Sequence, residues 1–179
     1  GATPEEEETP EEEETPEGEG YAIIDFKSYS SGKGYVTKNA YSSITEVKVD
    51  VYIPSTNEAN YWWGIVPVAN ANGQNAYVGS DAAAGNQNLN QILVNYYGWK
   101  NIWVTLTYTV SDYIWTLTIT RTGMNDDKQI ATFDFSGSMY QSGGESYIYV
   151  CANPDQGKAW GIQMDNFSIT AGGVTYTDN

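Results

Sequence analysis

"NIWVTLTYTV", residues 101–110, alternates with a period of two. Ile102, Val104, Leu106, Tyr108 and Val110 share one parity, and Asn101, Trp103, Thr105, Thr107 and Thr109 the other. Successive side chains of a strand point to opposite faces, so the first set belongs in a core and the second on a solvated face, where threonine fits well. The stretch therefore predicts a half-buried β-strand. Its one misfit is Trp103, a large aromatic on the side that meets water.

The neighbouring sequence repeats the pattern. "YIWTLTITRTG" (113–123) sets Trp115, Leu117 and Ile119 against Thr116, Thr118 and Thr120, and the short turn near residues 111–112 predicts a hairpin between the two strands. "TEVKVDVYIP" (45–54) alternates Val47, Val49, Val51 and Ile53 with Glu46, Lys48, Asp50 and Tyr52. "QIATFDFSG" (129–137) puts Ala131, Phe133 and Phe135 on one side, and "SYIYVCANP" (146–154) sets Ile148, Val150 and Ala152 against Tyr147, Tyr149 and Cys151. In "AWGIQMDNFSITA" (159–171), Trp160, Ile162 and Met164 alternate before Phe167 and Ile169 take the opposite parity, which predicts a bulge near Asp165-Asn166. Helical periodicity is confined to a short turn in "DAAAGNQNLNQ" (81–91). Closely spaced strands with glycine- and asparagine-rich turns predict an all-β fold, an antiparallel β-sandwich of the jelly-roll kind.

The first 20 residues stand apart. "TPEEEETPEEEETPEGEG" repeats Thr-Pro and four glutamates, offers nothing to bury and repels itself, so residues 1–20 are expected to be an extended acidic linker and 21–179 one domain. Ten of the 23 acidic residues lie in that segment; the domain keeps thirteen against eight Lys or Arg, a net charge of −5 rather than −15. A mildly acidic domain has no basic footprint for nucleic acid. No run reaches the roughly 18 apolar residues of a membrane helix. The single cysteine, Cys151, excludes an intrachain disulfide.

Catalytic chemistry is sparse. The absence of histidine removes imidazole acid–base work, Ser-His-Asp triads and histidine metal sites together, and outside the linker only Glu46, Glu58 and Glu145 remain as glutamates. The domain is therefore expected to bind rather than to catalyse.

Aromatics are abundant: six Trp and fifteen Tyr. Parity places Trp103, Tyr52, Tyr147 and Tyr149 outward, and in "NYWWGIVPVA" (60–69) it sets Trp62 with Val66 and Val68, leaving Trp63 to face solvent. "NYYGWKN" (95–101) adds Tyr96, Tyr97 and Trp99 in a turn, and amide-rich loops supply Gln91 and its neighbours, with Gln163 outward on the last long strand. Flat aromatic faces beside neutral amides suit a sugar chain: the C–H face of the ring packs on an indole, and its hydroxyls need groups that both donate and accept. Covering about 80 Å² of indole per sugar contributes about 2 kcal/mol. Trp63 and Trp103 are the expected stacking platforms, followed by Trp62, Trp99, Tyr147 and Tyr149, with Gln91 and Gln163 as hydroxyl partners.

With these features residues 21–179 resemble the carbohydrate-binding modules of bacterial plant cell-wall enzymes. The resemblance rests on the strand pattern, the outward aromatics, "YWWG" and the terminal "GIQMDNFSIT"; the Thr-Pro-Glu linker is similar to those of modular cellulases from gut and rumen Firmicutes. It implies a monomeric, secreted, non-catalytic module that binds a β-1,4-glucan (cellulose, xyloglucan or mixed-linkage β-glucan) and is covalently joined to a glycoside hydrolase. It also implies a structural calcium, with Asp165 and Asp25 as candidate ligands, and no other cofactor. Two alternatives remain: a starch-binding module, for which a curved aromatic cradle is expected, and a protein-binding adhesin or scaffold domain.

Overall fold

The computed structural model describes residues 23–29, 32–54, 63–69, 89–136, 144–152 and 162–178. The acidic linker, Trp62 and Trp160 lie outside these residues. The described chain forms ten strands: β1 (Ile24–Tyr29), β2 (Gly32–Thr37), β3 (Ile44–Tyr52), β4 (Trp63–Val68), β5 (Trp103–Ser111), β6 (Ile114–Arg121), β7 (Lys128–Asp134), β8 (Tyr147–Ala152), β9 (Gln163–Ala171) and β10 (Val174–Thr177). A π-helical turn, Gln91–Tyr96, lies between β4 and β5. Strands pair in the order β1-β2-β8-β4 in one sheet and β10-β9-β3-β5-β6-β7 in the other, and each pairing is antiparallel. The protein is an all-β sandwich. A simple jelly roll has eight strands; the ten described here share its two-layer plan.

The six-stranded sheet follows the alternation of its sequence. Val47, Val49 and Val51 of β3, Val104, Leu106 and Tyr108 of β5, and Trp115, Leu117 and Ile119 of β6 are all buried, while the residues between them reach the outer face. The expected hairpin is present, with Ser111 opposite Ile114 and a two-residue turn in which Asp112 takes φ +56°. Tyr108, Trp115, Phe133 and Phe135 form one aromatic cluster; the Trp115 ring meets Phe135 edge-on at 5.4 Å and Tyr108 at 5.7 Å. Such edge-to-face contacts satisfy the ring quadrupoles as well as burying area.

The expected bulge is also present. On β3, Lys48 and Asp50 are two residues apart, whereas their β9 partners Ser168 and Asp165 are three apart, and Asn166 takes φ +55°. Asp165 and Asn166 are consequently both exposed, and Phe167 returns to the core.

The four-stranded sheet behaves differently. Every residue of β4 is buried, and Ile148, Tyr149 and Val150 of β8 are buried in succession. These strands have no solvated face, so alternation carries no information about which side is wet. Inside this sheet Thr37 is fully buried and its Oγ1 accepts the Ile148 N–H at 3.0 Å. Thr37→Val is expected to lower stability by about 1–3 kcal/mol, because it leaves a buried N–H without its acceptor; an unchanged urea midpoint would refute that role.

Candidate functional site

The outer face of the six-stranded sheet is mostly polar; its exposed large hydrophobic residues are Ile114, at the hairpin end of β6, and Trp103 at the other end. Trp103, the first residue of β5, is 37 % exposed. Strand register places Gln163 of β9 opposite Tyr52 of β3, and Tyr52 opposite Trp103. Directly paired residues project to the same face, so the three form one row across adjacent strands. Gln163 and Trp103 are two strand spacings apart, about 9–10 Å. The Tyr52 and Trp103 rings lie 5.7 Å apart at 50°. The row continues to Thr122, whose N–H donates to the Trp103 carbonyl at 3.0 Å.

One step along the strands lies a hydrogen-bonded row. Thr105 Oγ1 donates to Asp50 Oδ1 at 2.6 Å and lies 2.9 Å from Thr122 Oγ1, while Asn166 Nδ2 donates to Asp50 Oδ2 at 2.9 Å. The bulge makes the last contact possible by turning Asn166 outward beside Asp165. A π-facing surface and a fixed set of polar groups thus stand side by side on rigid strands.

Behind this end, Trp99 is only 9 % exposed. The Arg121 guanidinium carbon lies 5.7 Å from its ring centroid, and Arg121 Nε donates to Asp126. That side-chain hydrogen bond, first among the causes, holds the Asp126 carboxyl below its ordinary range. Tyr97 packs on Trp99 at 5.3 Å, and Tyr96 is 67 % exposed.

Several expected site residues are placed elsewhere. Trp63 is fully buried, with its indole N–H donating to Asn90 Oδ1 at 2.6 Å, so it is a core residue and not a platform. Tyr149 is buried within the four-stranded sheet. Trp99 is turned inward by its loop: its N–H donates to the Leu93 carbonyl and the following Asn101 N–H to that of Ile53. Tyr147 is half-buried on β8, in the other sheet, and Gln91 is half-buried at the start of the π-helical turn. Trp62 lies outside the described residues. Of the eight candidates, the structure brings Trp103 and Gln163 into one row. Tyr52, Asp50, Thr105, Thr122 and Asn166 complete the site; their grouping depends on which strands pair, which a single sequence does not display.

The expected calcium ligands do not converge. Asp25 forms an ion pair with Lys38 at 3.8 Å. Its neighbour Ile24 faces the cleft that Asp165 also lines, so alternation turns Asp25 to the other side of β1. Asp165 Oδ1 accepts the Asn166 N–H at 2.9 Å. Among the described residues no three His, Cys, Asp or Glu side chains are grouped as metal ligands, and the two aspartates do not fit a shared calcium.

Comparison with family models, curated proteins and solved structures finds no match to this chain.

Proposed function

We propose that the domain is a non-catalytic carbohydrate-binding module. It holds a plant cell-wall β-1,4-glucan on the Trp103 end of the six-stranded sheet and, in a secreted parent protein, keeps a linked glycoside hydrolase on its substrate. The observation that carries this reading is Trp103 itself: an indole open to solvent on a rigid strand, in register with Tyr52 and Gln163 and beside the Asp50–Thr105–Thr122 chain. A ring with hydroxyl partners on one side meets the two needs of a sugar, apolar contact and hydrogen bonds.

With Trp63 and Trp99 buried, Trp103 is the one open indole among the described residues, and stacking on it contributes about 2 kcal/mol when the ring is covered. Weak binding of this kind is effective when a tether raises the local concentration. The 50° tilt between Tyr52 and Trp103 favours a second reading. A tilted pair follows a curved chain, which is the shape of an α-glucan.

Affinity gel electrophoresis of wild type and Trp103→Ala in xyloglucan, mixed-linkage β-glucan, glucomannan and amylose separates these readings. The expected result is retardation by β-glucans, weakened about 30-fold by the substitution. Retardation by amylose alone assigns the site to starch. Free migration of the wild type in every gel refutes glycan binding.

A further inference from the structure

The chain of hydroxyls beside Trp103 has a direction, set by the anion at its end. Thr105 Oγ1 is bonded to Asp50 Oδ1 at 2.6 Å and to Thr122 Oγ1 at 2.9 Å. A hydroxyl has one proton and two lone pairs, and an ionised carboxylate has no proton to give. Thr105 must therefore spend its proton on Asp50. The bond to Thr122 then uses a lone pair of Thr105 and the proton of Thr122. Both protons run inward along the chain toward Asp50. On the far side Asp50 Oδ2 already receives Asn166 Nδ2 at 2.9 Å.

What the Thr122–Thr105–Asp50 chain itself offers a ligand beside the indole is acceptor capacity. Thr122 and Thr105 have lone pairs left and no proton, and the Asp50 oxygens only accept. A ligand hydroxyl satisfies this row by donating into it. An ether oxygen meets lone pair against lone pair, and a ligand carboxylate is repelled by Asp50 and the adjacent exposed Asp165. Resting on the glucan reading above, we infer that the Thr122–Thr105–Asp50 chain makes this site selective for neutral glucans with an unsubstituted hydroxyl at this position, against etherified or uronic-acid-bearing chains. Thr105 is the residue that sets the direction: without it the Thr122 proton has no inward acceptor and turns out to the ligand.

The test is calorimetric titration of the whole chain with cellohexaose and with O-methylated cellohexaose. Wild type is expected to bind the methylated sugar about tenfold more weakly. In Thr105→Val the ratio should fall toward one, because Thr122 can then donate to an ether oxygen, and Thr105→Ser should restore it. Equal affinities in the wild type, or a ratio unchanged by Thr105→Val, overturn the inference. Absence of binding to either sugar overturns the glucan reading and the selectivity resting on it. The hydroxyl chain is read separately by NMR: a slowly exchanging Thr105 hydroxyl proton is expected in the wild type and its loss in Asp50→Ala, and a fast-exchanging proton in the wild type refutes the chain itself.

Discussion

Trp63→Ala is expected to lower stability by about 3–5 kcal/mol, whereas Trp103→Ala should change it by less than about 1 kcal/mol. The two residues have the same side chain and both begin a strand, yet their surroundings are opposite. Trp63 is fully buried on β4, and truncation opens a cavity in a strand packed on both faces. It also removes the indole donor from the buried Asn90 amide oxygen, the 2.6 Å bond that joins β4 to the helical segment between β4 and β5. Trp63→Phe separates the two contributions: it keeps most of the ring and loses the donor, at an expected cost of about 1–3 kcal/mol. Trp103 is 37 % exposed at the end of a strand with the Tyr52 ring beside it, so its loss opens to solvent and leaves no enclosed cavity. Urea midpoints of the three variants decide the matter. A Trp63→Ala midpoint equal to that of wild type would mean that the indole is not part of the core and that its place on the binding face must be reconsidered.

This contrast marks where the sequence was readable. Alternation located β3, β5 and β6 and their inward residues because the six-stranded sheet has one dry face and one wet face, the condition under which a period of two reports burial. Even the bulge at Asp165-Asn166 was legible, since Met164 and Phe167 fall out of phase. In β4 and β8 the same rule put Trp63 and Tyr149 on the outside. Their runs, "WGIVPV" and "YIYVCA", are almost continuously apolar, and a continuous run is the signature of a strand covered on both faces. In such a run parity does not report which side is wet. Trp99 failed for another reason: it lies in a turn, and the hydrogen bonds that fold the turn inward join residues that no local pattern connects. The polar half of the site needed long-range pairing as well. Asp50, Thr105 and Asn166 come from β3, β5 and β9, and only the sheet order makes them neighbours.

Alkaline unfolding should begin near pH 10 and depend on Tyr108. This residue is fully buried on β5 among Trp115 and Phe133, and burial pushes its phenol far above the ordinary value. A tyrosine in the unfolded chain titrates near pH 10, at roughly its model value. Below that pH the phenol is neutral in both states and its contribution to stability is complete. Above it the unfolded chain releases a proton that the folded chain retains, so folding loses about 1.4 kcal/mol for each further pH unit until the folded phenol also ionises. Tyr41 adds a component of the same sign, its phenol raised first by burial and then by the nearby Tyr176, whose ring centroid is 5.1 Å away. Tyr108→Phe removes the larger component. The variant should lie within about 1 kcal/mol of wild type at pH 8, and above about pH 10 it should become the more stable of the two. Urea midpoints measured from pH 8 to 11 read this directly, and parallel curves for the two proteins would show that the phenol is not the group that opens the sandwich in alkali.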